Sequence, residues 1–275
     1  MRILDTHLHL VYPDRLAYPW LAGAPALNRP WSVEAYFAEA EPLGIASALH
    51  MEVDVAEADQ AAETALVLGL DPRVIGAVAA CRPEHADFPA ALERLQAIPG
   101  VRGLRRILHE SPDDLSASAR FTDNIRRIGP TGLSFDLCVQ ARQLPVGRAL
   151  AERCPDVSFV LDHCGNPPIA TGDLDAWRAD IAAIAALPNV AGKVSGIVNH
   201  AAAGWTSEDL RPVVEHMVAC FGWDRLVWGS DHPVATLGGG LTAWVEAVRT
   251  IVAGCSEDEQ ARFFHRNAER IYRLG

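Results

Sequence analysis

Two histidines stand two positions apart near the start of the chain, His7 and His9 within Ile-Leu-Asp-Thr-His-Leu-His-Leu at residues 3–10. Alternation along an extended segment puts both on one side, together with Ile3 and Asp5. Two imidazoles side by side at the end of a strand can grip a divalent metal or polarise a carbonyl oxygen. Two later segments bring complementary groups. Val-Leu-Asp-His ends at His163, on the side that alternation shares with Val157, Phe159 and Leu161, and Val-Trp-Gly-Ser-Asp-His-Pro contains Asp231. Three imidazoles and a carboxylate are the parts of a hydrolytic site, in which the carboxylate takes a proton from water while the imidazoles surround a carbonyl.

Such residues need a scaffold that gathers distant segments. Apolar stretches of strand length occur at 3–9, 45–53, 74–81, 101–108, 133–139, 157–163, 190–195 and 225–231. Amphipathic stretches of helix length lie between them, at 33–43, 58–70, 89–98, 122–128, 146–154, 174–187 and 208–221, with two more at 241–253 and from 257 onward. Ser32 and Ser207 are N-cap candidates, Ser256 with Glu259 fits a capping box, and Gly44, Gly129, Gly222 and Gly254 sit where a helix should stop. Eight strand–helix alternations imply a parallel sheet with helices outside, and about 250 residues suffice to close it into a (β/α)8 barrel. An open doubly wound sheet is the alternative. Its dinucleotide-binding version lacks the Gly-rich turn it needs after the first strand. In a barrel the chemistry gathers at the C-terminal strand ends, where His7, His9, His163 and Asp231 all fall.

The 275-residue chain carries a net charge of −11, which disfavours nucleic acid and anionic membrane surfaces as partners and leaves a neutral small molecule open. No secretory pattern and no membrane-length apolar run is present, so a cytoplasmic location is expected. Six scattered cysteines without a C-x-x-C pair read as free thiols. No composition break divides residues 1–275, which read as one domain; the sequence does not decide between a monomer and a homo-oligomer. The longest irregular stretch, 11–31, carries four prolines and the aromatics Tyr12, Tyr18, Trp20 and Trp31, and as a loop leaving the first strand it is expected over the catalytic face.

With these segments in order, the chain resembles the amidohydrolase superfamily, in its branch of sugar-lactone hydrolases and 2-pyrone-4,6-dicarboxylate lactonase. The resemblance rests on Asp-Thr-His-Leu-His (5–9), Tyr-Pro-Trp-Leu (18–21), Val-Arg-Gly-Leu-Arg-Arg (101–106) and Phe-Asp-Leu-Cys-Val (135–139). It continues through Leu-Asp-His-Cys-Gly-Asn-Pro (161–167), Lys-Val-Ser-Gly (193–196), Trp-Gly-Ser-Asp-His-Pro (228–233) and Arg-Asn-Ala-Glu-Arg-Ile-Tyr (266–272). It implies a distorted (β/α)8 barrel with an extra C-terminal helix, and hydrolysis of a cyclic ester. Mononuclear members of the superfamily take a metal-binding histidine from strand five, whereas Ser-Phe-Asp-Leu-Cys-Val-Gln at 134–140 has none.

The resulting expectation is a metal-independent lactonase acting on a small-molecule lactone. Asp231 serves as the base, with His7, His9 and His163 around the carbonyl oxygen; no cofactor is required, and zinc on His7, His9 and Asp231 is the alternative. Substrate contacts are expected from Arg105 on strand four, Arg82 after strand three, Glu52 at the end of strand two, Trp20, and His232, which stands where the family usually carries tryptophan. Glu52 reads equally as a hydroxyl-binding carboxylate or as the partner of an arginine, and Lys193 is available for substrate hydroxyls. Few arginines reach strand ends, which favours a neutral sugar lactone over a dicarboxylate. Rival readings are a metal-dependent decarboxylase of the same superfamily and a non-catalytic barrel that binds a sugar acid.

Overall fold

The structure is a computed structural model that describes residues 1–274. Eight parallel strands pair in chain order: β1 (Ile3–Leu8), β2 (Ile45–Met51), β3 (Val74–Ala80), β4 (Val101–Ile107), β5 (Ser134–Cys138), β6 (Ser158–Leu161), β7 (Val190–Val194) and β8 (Leu226–Trp228). Helices α1 (Val33–Ala40), α2 (Gln60–Leu68), α3 (Phe88–Gln96), α4 (Ala119–Arg126), α5 (Leu144–Arg153), α6 (Asp175–Ala185), α7 (Ser207–Phe221) and α8 (Gly240–Val252) follow successive strands. The result is a (β/α)8 barrel, extended at its C-terminus by α9 (Glu257–Ala261), a π-helical turn (Arg262–Arg266) and α10 (Asn267–Ile271). No helix among the described residues is long and apolar enough to cross a membrane.

Strand alternation sorts the apolar residues into two layers. Ile3, Ile45, Val101, Phe135, Phe159 and Leu161 pack outward against the helices, while Leu4, Leu49, Met51, Val78, Val160 and Val227 fill the lumen. Ala268 of α10 and the following Tyr272 join the lumen cluster and close the barrel floor. Helix starts follow local chemistry. Ser32 Oγ accepts from Ala35 N, and Ser256 with Glu259 forms a capping box. The cap of α7 is Thr206, one residue before the expected Ser207, because Asp209 reaches back to its amide and hydroxyl. All six cysteines are free thiols.

Two departures from simple alternation matter for the site. In β1, Asp5 and Leu8 are three positions apart while their partners on β2, Ala48 and His50, are two apart, so one extra residue is accommodated. That bulge leaves Ile3 and Asp5 on the helix side and turns His7 to the lumen, against the expected common face. At the seam, β1 and β8 share no continuous ladder. They are joined by Thr6 Oγ1 to Trp228 O (2.8 Å), Asp231 N to His7 O (2.9 Å) and His9 N to His232 O (2.8 Å).

Candidate active site

A cavity of about 870 Å³ opens at the C-terminal strand ends, with His9, Arg105, His163 and Asp231 in its wall. Backbone geometry brings the last two there. β6 and β8 stop at Leu161 and Trp228, and the chain then passes through left-handed φ values of 55° at His163 and 58° at Asp231. Non-glycine residues seldom adopt that region, and such strain gathers where surroundings over-determine a side chain. Phe159 and Leu161 face the helices, so His163 reaches the cavity through this turn rather than by alternation with them. Two glycines make room. A Cβ on Gly196 would lie 2.5 Å from His163 Nδ1 and 2.9 Å from Asp231 Oδ2, and one on Gly229 would lie 2.7 Å from His7 Cβ.

Asp231 Oδ1 lies 3.5 Å from His9 Nε2 and 3.7 Å from His7 Nε2. Its Oδ2 accepts from Asn199 Nδ2 at 3.1 Å. Burial raises the Asp231 pKa above the ordinary carboxylate value, with His163 and Arg105 acting the other way. The histidines are pushed toward neutrality by burial, His9 to about 3 and His163 to about 4. His7 is also lowered by burial, against the pull of Asp162.

The tautomer of His9 follows from its partner. Met51 O, 2.9 Å from Nδ1, can only accept, so Nδ1 carries the proton and Nε2 presents a lone pair toward Asp231. His7 Nε2 faces Arg105 Nη1 at 3.4 Å, a group that can only donate, while its Nδ1 lies between Lys193 Nζ at 3.4 Å and Asp162 Oδ1 at 3.5 Å. His7 is fully buried beneath the cavity and is not part of its wall. His163 Nδ1 lies 3.0 Å from Ser195 Oγ, which leaves Nε2 for the cavity.

The donor set fits a divalent metal such as zinc. Nε2 of His7, Nε2 of His9 and a carboxylate oxygen of Asp231 converge within 4.8 Å of one another. The His9 imidazole points its lone pair inward with Nδ1 held by Met51 O, which is the orientation a metal-binding histidine requires.

The remaining expected residues divide. Arg105 lines the cavity, but its Nε donates to Glu52 Oε1 at 2.6 Å and its Nη2 to Glu52 O at 2.7 Å. Glu52 is buried under it as that partner. Arg106, the next residue, points the other way to Glu84. Trp20 is in the cavity wall, its indole N–H donating to Val53 O at 2.8 Å. Arg82 stays outside with Asp54 and Glu57. His232 turns from the cavity into a pocket of Trp31 and Tyr36, 5.3 Å between ring centres in each case. Lys193 is wholly buried between Asp136 and Asp162 and reaches no substrate hydroxyl.

Sequence reasoning missed Asp136, Asp162 and Asn199. Asp162 precedes His163 and falls on the lumen side with Val160, a signal that alternation alone carried. Asn199 sits on a short turn after β7 with no pattern to mark it.

The family model described as Amidohydrolase matches residues 4–274. This chain belongs to the amidohydrolase family. An L-fucono-1,5-lactonase of Burkholderia multivorans is 32% identical over 293 residues, covering 98% of the amidohydrolase and 96% of that relative. An L-fucono-1,5-lactonase of Burkholderia ambifaria is 34% identical over 198 residues, covering 70% and 68%. Among solved structures, a zinc-bound amidohydrolase from Burkholderia multivorans superposes with a TM-score of 0.89 at 27% identity, covering 100% of both chains.

Proposed function

We propose that this amidohydrolase opens a neutral sugar-acid lactone, the class to which the L-fucono-1,5-lactone named for its relatives belongs. The observation that carries the substrate class is the state of the two arginines in the cavity wall. Arg105 is engaged by Glu52, and Arg142 by both carboxylate oxygens of Asp113 at 2.8 and 2.9 Å. A substrate with two carboxylates would have to strip a partner from each, at the cost of leaving a charge uncompensated. Hydroxyls and a ring oxygen need only neutral partners, which Asn166, Asn199, Gln140 and His200 in the same wall supply.

In the reaction, a water lies against two acceptors, Asp231 Oδ1 and His9 Nε2, and its oxygen attacks the lactone carbonyl carbon. Asp231 takes the proton as the C–O bond forms, its basicity increased by burial. Arg105 has five N–H donors, and its contacts to Glu52 Oε1, Glu52 O, His7 Nε2 and Asp162 Oδ2 leave one for the oxyanion, with His163 beside it. The tetrahedral carbon then releases the ring oxygen. Asp231 returns its proton to that alkoxide, giving an open hydroxy acid. These side chains complete the cycle without a resident ion. Zinc on His7, His9 and Asp231 would polarise the carbonyl and acidify water when bound.

Proton release measured with a pH indicator tests this on a panel of aldono-1,4- and 1,5-lactones and a pyrone dicarboxylate. Higher kcat/KM on a neutral lactone is expected. Preference for the dicarboxylate overturns the substrate class, and no turnover on any lactone overturns the reaction.

A further inference from the structure

The short turn Ile197–His200 after β7, entered through Gly196 at a left-handed φ of 64°, brings two polar residues to the cavity wall. Asn199 is engaged with the base, donating to Asp231 Oδ2 at 3.1 Å. His200 is held from the other side. Its Nε2 lies 2.9 Å from Asn166 Oδ1, and Asn166 Nδ2 donates to Val139 O at 2.7 Å. His200 and Asn166 are both half-buried and both line the cavity.

This run of contacts starts at a group whose role is fixed. A backbone carbonyl only accepts, so the Asn166 amide turns its nitrogen to Val139 and its oxygen to His200. An amide oxygen also only accepts, so His200 carries its proton on Nε2. The opposite tautomer would set a ring lone pair against the Asn166 oxygen and leave both without a donor. Burial lowers the His200 pKa against the pull of Asp231, which favours the neutral ring and leaves Nδ1 bare. Among the described residues Nε2 is the His200 ring nitrogen with a hydrogen-bond partner, and Nδ1 has none. The carbonyl and ring oxygens of a lactone only accept. Its hydroxyls are the groups that can donate to Nδ1.

We propose that His200 is a specificity-determining residue whose Nδ1 accepts a hydrogen bond from one ring hydroxyl of the substrate, and that Asn166 is the positioning residue that keeps this nitrogen bare. The inference rests on the reading of the site as a pocket for a neutral lactone, and narrows it. A substrate must carry a free hydroxyl at the ring position facing His200, and a deoxy lactone at that position has no donor to offer. The contact lies away from the reacting carbonyl, so it acts on KM more than on kcat.

Two measurements test this. In ¹⁵N NMR of histidine-labelled protein, with the His200 signal assigned by its loss in His200→Gln, the wild type should show a protonated Nε2 and a bare Nδ1. Asn166→Ala should give a tautomer mixture. A bare Nε2 in the wild type overturns the proposal. The kinetic arm compares L-fucono-1,5-lactone, the lactone named for the relatives, with its 2-, 3- and 4-deoxy counterparts. At one ring position the wild type should prefer the hydroxylated lactone about tenfold in kcat/KM, mainly through KM, as expected for one neutral hydrogen bond. His200→Phe should abolish that preference while leaving discrimination at the other positions intact. His200→Gln, which can keep a donor toward Asn166, should do the same and carries the test if His200→Phe fails to fold. A folded variant that retains the preference at every position overturns the proposal, whatever its loss on the parent lactone. If no lactone is turned over, calorimetric affinities for the corresponding 1,5-lactams, which do not open, replace the rates. A positional preference that His200→Phe abolishes there keeps this inference and removes the proposed reaction; its absence overturns the inference.

Discussion

Below His7, the charged groups of the barrel lumen sit close to opposite charges, with Lys193 2.5 Å from Asp136 and 2.8 Å from Asp162. Above it the distances loosen, His9 and His7 standing 3.5 and 3.7 Å from Asp231, and side chains keep spare lone pairs and donors. The two carboxylates flanking His7 make the contrast plain. Burial pushes both upward, but Lys193 and His7 hold Asp162 well below the ordinary carboxylate value, whereas Asp231 stays above it. The lower region is saturated and sets positions; the upper region is left unsaturated, which is what a reacting water and carbonyl need.

The largest break in that contrast comes from the upper carboxylate. Asp231→Asn should lower kcat by about 10²–10⁴-fold while the protein stays folded, measured by lactone turnover and thermal melting. A variant of near-normal activity would remove Asp231 from the chemistry.

Arginine pairs sharpen the same difference. Arg105→Met strands Glu52 in the interior and should cost about 3–5 kcal/mol in denaturant melts. Arg142→Ala, which breaks an exposed pair with Asp113, should cost under about 1 kcal/mol. Equal losses at the two sites would erase the distinction between saturated interior and wet rim.

Exhaustive chelation should leave lactone turnover intact, because the reacting groups belong to the chain. Added zinc should still raise the melting temperature, by the equivalent of about 2.7 kcal/mol at a hundredfold excess over Kd, and His9→Ala should abolish that rise. Activity lost with chelator and restored by one equivalent of zinc would make the ion part of the reaction. The smallest effect is at the rim, where Trp20→Phe removes one hydrogen bond to Val53 O and should raise KM about fivefold with kcat unchanged.

Periodicity and motif order were enough to read the eight alternations, the barrel and the gathering of His9, His163 and Asp231. They were not enough to place side chains where the backbone leaves regular geometry. The bulge in β1 moved His7 away from the face of Asp5, and that carboxylate instead accepts from Tyr36 Oη and the amides of His7 and Ser230. His232 follows Asp231 directly, yet the left-handed turn sends it to the opposite side. Arg82 after strand three and Arg105 on strand four looked alike as candidate substrate-binding arginines. Only the structure shows that one meets Glu52 in the lumen and the other meets Glu57 outside it. Lys-Val-Ser-Gly at 193–196 was legible as a motif but not as a division of labour. Lys193 points down, Ser195 holds His163, and Gly196 clears space for it.

The seam between β1 and β8 gives the working centre an unusual timetable. Its histidine pair is synthesised long before its carboxylate, and the contacts joining the two segments span 222 to 225 residues of chain. Loops of that length form late, after local strand–helix units have settled. A growing polypeptide can therefore build most of its wall while still inert, and gains a reactive centre only when these two segments meet. Any fragment released before the second segment is made, or cut between the two and separated, is a scaffold without chemistry.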